Sequence, residues 1–201
     1  MSEKPVPRPA APMTDEEIRA AWTVEPPRLE GRIELVAYDS GWPELFAREA
    51  ERIRRLLGDQ VVLLEHTGST SVPGLAAKPI IDMLLVVPNS AHEPSYVPQL
   101  EAAGYFLAIR EPDWHEHRVF KGPDTNVNLH VFSPGSPEID RVLGFRDWLR
   151  AHDDDRVLYE QTKRELAARE WKYVQNYADA KTEIVESILA KAMAARGPGP
   201  A

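Results

Sequence analysis

No cysteine occurs anywhere in the sequence, which excludes disulfides, a thiolate nucleophile and a cysteine-ligated zinc site. Long apolar runs are missing too. Nothing approaches the roughly 18 consecutive apolar residues that a membrane-spanning helix needs. The first twelve residues hold four prolines and no apolar segment, so they do not read as a signal peptide. The expected location is therefore cytoplasmic, with no membrane partner. Basic charge is in short supply: Lys and Arg number 24 against 32 Asp and Glu, a formal net charge of −8. Such a balance argues against a broad electrostatic grip on nucleic acid and favours a small-molecule ligand.

What is present fits one substantial domain. The chain has 201 residues, 43% of them hydrophobic and 28% charged, a composition ordinary for a globular protein. Residues 1–28 read as an N-terminal tail, disordered over the Pro- and Ala-rich Met1–Pro12 and partly helical after it. Residues 29–195 read as the domain and 196–201 as a second disordered tail. Thr14 with Glu17 forms a capping-box pattern, predicting a helix over 15–22. Arg32 to Tyr38 alternates as a strand does. Pro43 suits a first helical turn, and an apolar side from Leu45 to Leu57 ends at Gly58. Further on the pattern predicts a helix over 96–103, a strand over 105–109, and a hairpin of 117–121 and 126–132 around Gly122-Pro123-Asp124-Thr125. Helices are expected from Pro137 to about Ala151, over 154–170 and over 179–195. Strands first and helices last gives an α/β (α+β) fold, a mixed sheet with packed helices and a C-terminal helical cap.

Glu65 to Val87 is where apolar runs begin to carry polar groups. An apolar run ends near Leu64, the chain turns through Gly68-Ser69-Thr70 and Pro73-Gly74, and a second run spans Ile80 to Val87. A turn this rich in small residues lets an anion approach main-chain N–H groups, and phosphate is the natural anion. The motif Gly68-Ser69-Thr70-Ser71-Val72-Pro73-Gly74-Leu75, followed by Lys78-Pro79-Ile80-Ile81-Asp82, resembles the signature of the GrpB family, and the resemblance extends over roughly Ile33 to Ala192. That family is similar to the nucleotidyltransferase superfamily, in which a Gly-Ser turn precedes a strand bearing metal-binding carboxylates.

The resemblance implies metal-dependent nucleotidyl transfer from a nucleoside triphosphate to a small-molecule acceptor. In that scheme Gly68, Ser69 and Thr70 cradle phosphates, with Lys78 nearby, and Lys163 and Lys181 neutralise the triphosphate tail. Asp82 holds a divalent metal, magnesium or manganese. Its other reading is a strand-end aspartate bonded to the turn. Asn126, Asn128 and His130 alternate onto one strand face. Asn128 and His130 stand where the superfamily has a third carboxylate, His130 as metal ligand or base; the plain alternative is a polar outer face. Position 84, where the second metal carboxylate belongs, is leucine. This departure supports an alternative function: a nucleotide- or phosphate-ligand-binding module without the reaction, with a link to coenzyme A metabolism implied by family members fused to dephospho-coenzyme A kinase. His115-Glu116-His117 has metal-like spacing but reads as a solvated loop, with Arg118 the better phosphate contact. His66 reads as a brace for the turn. Arg146 and Arg150, four apart on one helix face, fit either a ligand or internal ion pairs.

Overall fold

The computed structural model describes residues 11–29 and 32–196. The expected disorder of residues 1–10 and 197–201 lies outside them. Five strands, β1 (Leu63–Thr67), β2 (Ile81–Val86), β3 (Phe106–Glu111), β4 (His117–Lys121) and β5 (Val127–Phe132), form one sheet in the order β1-β2-β5-β4-β3. β2 and β5 run parallel and all other neighbours antiparallel. The sheet is therefore mixed, as expected.

One face is covered by α2 (Trp42–Leu57) and α3 (Val97–Ala102). Gly41 and Pro43 start α2, and Gly58, at φ 51°, ends it, a conformation that costs glycine little. Its buried side, Trp42, Ala50, Ile53 and Leu57, packs on Ile81, Met83, Leu85, Phe120, Leu129 and Val131. These are alternate residues of three neighbouring strands, so the period of two aims every one of them at the same core. The residues between them point to the other face. There α1 (Asp15–Ala21), α4 (Pro137–Ala151), α5 (Asp153–Ala167), α6 (Val174–Asp179) and α7 (Thr182–Arg196) build a cover over the sheet. Thr14 and Glu17 close a full capping box on α1, whose Ile18 is buried. No helix among the described residues is long and apolar enough to cross a membrane.

The expected strand over 32–38 is not there. Val36 and Ala77 exchange both backbone hydrogen bonds, at 2.9 and 3.0 Å, as an isolated bridge. In an antiparallel ladder the next such pair would join residue 34 to residue 79, and Pro79 has no N–H to give. Ile33 and Leu35 instead pack with Leu166, Ala167 and Tyr177 under the helical cover. The short helix α6 has no counterpart in the sequence reading.

Candidate functional site

Strand register lays a polar row across the covered face of the sheet. Thr67 on β1 pairs with Asp82 on β2, Asp82 with Asn128 on β5, and Asn128 with Lys121 on β4. The row is bonded along its length. Asn128 donates its amide N–H to Asp82 Oδ1 at 2.7 Å, and its Oδ1 accepts from Lys121 Nζ at 2.5 Å. Only this orientation of the amide suits both neighbours. Two residues along each strand, about 7 Å away, the next row reads Glu65, Leu84, His130 and Val119.

The turn after β1 fits against this row. Gly68 has φ 65° and ψ −172°, a region glycine alone occupies readily. A Cβ built there would stand 2.2 Å from Asp82 Oδ2, so the missing side chain makes room for the carboxylate. Ser69–Ser71 forms a single 3-10 turn. The buried Thr70 hydroxyl donates to Ile80 O at 3.0 Å and stands 3.1 Å from His66 Nε2. Since its one proton goes to Ile80, His66 must donate from Nε2. Burial, with Arg150 and Arg146 nearby, lowers the His66 pKa to about 4, which keeps the ring neutral. The Thr70 hydroxyl thus serves as a strut, while the residue lines the cavity beside Gly68 and Ser69.

Helices α4 and α5 fix the turn from outside. Arg150 donates twice to Ser71 O, at 3.0 and 2.8 Å, and Arg146 donates to His66 O and Glu65 Oε2, both at 2.9 Å. Both arginines spend their donors on the backbone and carboxylates around the turn. From α5, Glu160 accepts from Ala76 N at 2.8 Å while Lys163 donates to Ala76 O and, at 3.1 Å, to Ser69 Oγ. One helical turn thereby grips both ends of residue 76.

Over the polar row lies a cavity of about 500 Å³, and four lysines line it: Lys78 before β2, Lys121 on β4, Lys163 on α5 and Lys181 just before α7. Lys78 and Lys181 both stand over the Tyr177 ring, 5.4 and 4.7 Å from its centre, and Lys163 lies 5.0 Å from that of Tyr159. Asp82 is the one carboxylate at this end. It is half-buried and lines the cavity. Burial pushes its carboxyl above the usual range, against the Asn128 amide and the charges of Lys78, Lys181 and Lys121. All four amines move the other way. Burial first, then Lys181, brings Lys163 to about 7 and Lys78 to about 8. Burial also lowers Lys121 and Lys181, with Asp82 opposing. Glu160 and Asp179 act from outside the cavity, engaged with Ala76 and Arg164 and with Met13 and Gln175. Tyr177 also lines the cavity; its buried hydroxyl has no hydrogen-bond partner among the described residues. At this end of the cavity four lysines and a phenol with a donor to spare surround the Asp82 carboxylate.

The structure thus gathers Gly68, Ser69, Lys78, Asp82, Asn128, Lys163 and Lys181 in one place. It adds Lys121 and Tyr177, which the sequence reading did not select. Lys121 carried a signal, since it shares a strand face with Val119 and His117, but the register that sets it beside Asn128 is not local. Arg118 is elsewhere: it faces the opposite side of the sheet, donating to Glu93 Oε1 at 2.6 Å. Alternation separates it from His117, its chain neighbour. His117 is not a solvated loop residue. Positive φ at His115 and Glu116 turns the chain so that His117 enters β4 buried, bonded to Glu111 Oε2 at 2.7 Å and to His130 Nδ1 at 3.0 Å, and stacked on Phe132. His130 lines the same cavity one row beyond Asp82, in that second polar group.

A divalent metal at Asp82 does not fit these donors. Asn128 has given its oxygen to Lys121, His130 is tied to His117, and position 84 is a buried leucine packed with Val86 and Phe132. The positive charges acting on the Asp82 carboxylate are those of Lys78, Lys181 and Lys121. Among the described residues no group of three His, Cys, Asp or Glu is arranged to hold a metal.

Comparison with known proteins covers most of the chain. The family described as GrpB protein matches residues 32–191. A UPF0157 protein of Halalkalibacterium halodurans is 59% identical over 92% of this chain and 95% of its own. The crystal structure of the conserved protein GrpB from Enterococcus faecalis superposes with a TM-score of 0.72 at 30% identity, covering 82% of this chain and all of that one. A dephospho-CoA kinase of Mycolicibacterium paratuberculosis is 29% identical over 68% of this chain, which spans 40% of that protein.

Proposed function

The chain belongs to the GrpB family, and from that premise we propose that it is a receptor for a phosphate-bearing small molecule, holding the phosphates by lysines without a two-metal reaction. The observation that carries this is the convergence of Lys78, Lys121, Lys163 and Lys181 on one end of the cavity, where Asp82 is the carboxylate they surround. Charged hydrogen bonds to phosphate contribute about 1.5–3 kcal/mol each, so three or four exceed what one added carboxylate repels. The Ser69 hydroxyl, Asn128 and the Tyr177 phenol supply direction where the ammonium groups supply charge.

Titration calorimetry tests the reading directly. Inorganic pyrophosphate, triphosphate and nucleoside triphosphates are expected to bind in the presence of EDTA, and added magnesium is expected to weaken binding by competing for the phosphate oxygens. A strict requirement for magnesium would overturn the metal-free site, and failure of every phosphate ligand with or without metal would overturn the receptor. The relative described as a dephospho-CoA kinase adds dephospho-coenzyme A to the probes.

Metal-dependent nucleotidyl transfer to a small acceptor is the second reading, favoured by the Gly68-Ser69 turn lying against Asp82. It predicts pyrophosphate release from a nucleoside triphosphate once magnesium or manganese and an acceptor are supplied. The receptor reading predicts none.

A further inference from the structure

The four lysines of the cavity are not equivalent. Lys121 and Lys163 spend amine hydrogens on the protein, the first on Asn128 Oδ1 and the second on Ala76 O and Ser69 Oγ. Lys78 and Lys181 make no hydrogen bond or close ion pair among the described residues, and both stand over the ring of Tyr177, 5.4 and 4.7 Å from its centre. The hydroxyl on that ring is itself buried without a partner among those residues. Two untied amines and an untied phenol therefore share one corner of the cavity. Lys78 is the better fixed of the two amines. Residue 76 is held by Glu160 and Lys163, Ala77 exchanges both backbone hydrogen bonds with Val36, and Lys78 O accepts from Ile80 N at 2.8 Å. A side chain on so constrained a backbone holds a reacting atom more precisely than one on a mobile loop. Lys181, ahead of α7, supplies a neighbouring charge. An amine becomes a nucleophile when it gives up its proton, and burial beside a second ammonium group favours that. The groups facing Lys78 are the cations Lys181, Lys121 on β4 and Lys163 on α5, with Asp82 on β2 opposing them and the Tyr177 phenol on α6 uncharged. The balance brings Lys78 to about 8, so about a tenth of it is unprotonated at pH 7, against less than about a thousandth of an ordinary lysine.

We propose that Lys78 is a nucleophile that forms an imine with an aldehyde or ketone carrying a phosphate, the phosphate being held by Lys121, Lys163 and Lys181. The inference rests on the receptor reading and names a substrate class and a reaction for it. In the step, the Lys78 nitrogen adds to the carbonyl carbon, the carbonyl oxygen takes up both amine hydrogens and leaves as water, and a C=N bond remains. The step balances without an oxidant or reductant. The Tyr177 hydroxyl is the donor for the oxygen as it passes from carbonyl to carbinol to water. The phosphate does the positioning: once three cations hold it, the carbonyl on the same molecule meets the amine as an intramolecular partner.

Borohydride trapping with peptide mass mapping tests this on the full wild-type chain. Borohydride reduces an imine to a stable secondary amine, so the lysine that reacted is read directly. The probes are glyceraldehyde 3-phosphate and glyceraldehyde at equal concentration, each with and without inorganic pyrophosphate. The phosphorylated aldehyde is expected to label Lys78 roughly tenfold faster than glyceraldehyde does, and pyrophosphate is expected to suppress that label. Labelling at Lys78 should rise with pH and level off above about 8. Lys172 and Lys191, exposed and paired with Asp15 and Asp155, are the reference: their labelling should be slow, indifferent to pyrophosphate and still rising above about pH 9. A Lys78→Arg variant, checked for folding by thermal unfolding, is expected to lose the label without gaining one at Lys181; the mapping on the wild type decides the site whatever the variant's stability. Label confined to Lys121, Lys163 or Lys181, label spread evenly over the exposed lysines, or no label would overturn the imine, while pyrophosphate binding measured by calorimetry would leave the receptor standing. Equal labelling of Lys78 by both aldehydes would overturn the substrate class. Failure of pyrophosphate to bind the wild type would overturn both readings.

Discussion

A Lys163→Met variant is expected to bind pyrophosphate roughly ten- to a hundredfold more weakly than the wild type, and to lose much of the wild type's gain in stability between neutral and alkaline pH. Both effects come from one buried ammonium. In the unfolded chain the amine holds its proton to its ordinary 10.5, and in the folded cavity it gives it up near 7. Between those values the unfolded state carries more protons, so stability rises with pH; below about 7 both states are protonated and the folded state bears the full cost of burying the charge. That cost is of the order of a few kcal/mol, a large share of the 5–15 kcal/mol by which a domain is stable. Methionine fills similar space without the charge. It forfeits the hydrogen bonds to Ala76 and Ser69, a loss largely independent of pH, so the difference between melting temperatures at pH 6 and pH 10 isolates the charge. Thermal unfolding across that range should show a steeper rise for the wild type. Equal slopes would remove Lys163 as a strained cation. A bound polyanion should abolish the wild type's slope by restoring the proton, with uptake visible as a buffer-dependent calorimetric heat. The cavity is thus unstable for the same reason that it is receptive, and ligand and stability are linked.

The elements that local chemistry specifies were legible in the sequence. Thr14 and Glu17 announced α1, Gly58 the end of α2, and Pro137 the start of α4. Gly68, Ser69 and Asp82 could be paired because a short loop joins two apolar runs. What failed were inferences that need register or long-range partners. Arg32–Tyr38 has the alternation of a strand, but its one partner, Ala77, is followed by Pro79, which nothing near residue 36 reveals. Lys121 and Asn128 become neighbours only when the β4–β5 pairing is known, and Asn128 meets Asp82 only through a parallel pairing across 46 residues. His117 and Arg118 exchanged roles because strand β4 begins one residue after a loop whose end is set by backbone at positive φ. The 3-10 turn at Ser69–Ser71, which commits the Thr70 hydroxyl to Ile80, was likewise not visible from spacing alone.

Gly68→Ala is expected to destabilise the fold by about 2–5 kcal/mol, combining about 1–2 kcal/mol for the positive φ with the cost of overpacking, and to abolish detectable pyrophosphate binding. The added methyl would lie 2.2 Å from Asp82 Oδ2, 2.8 Å from its Cβ and 2.9 Å from its Cγ, so either the carboxylate or the turn must move. Moving the carboxylate breaks the bond to Asn128 and removes the partner that opposes the shifts of Lys78, Lys121 and Lys181. Moving the turn carries Ser69 away from Lys163 and strains the grip of Arg150 on Ser71. Asp82→Gly separates the clash from the backbone term. If the methyl meets the aspartate, the double variant Gly68→Ala, Asp82→Gly should be more stable than the two single losses predict by at least about 1 kcal/mol, since contacting residues couple by roughly 0.5–3 kcal/mol. Denaturant unfolding of the four proteins measures that difference. Strict additivity would mean that the backbone conformation of residue 68 alone sets the requirement for glycine, and that the turn and the carboxylate are not a single fitted unit. Coupling would show that the smallest side chain in the motif is fixed by the charged one on the next strand, which is why a glycine and an aspartate 14 positions apart belong to one site.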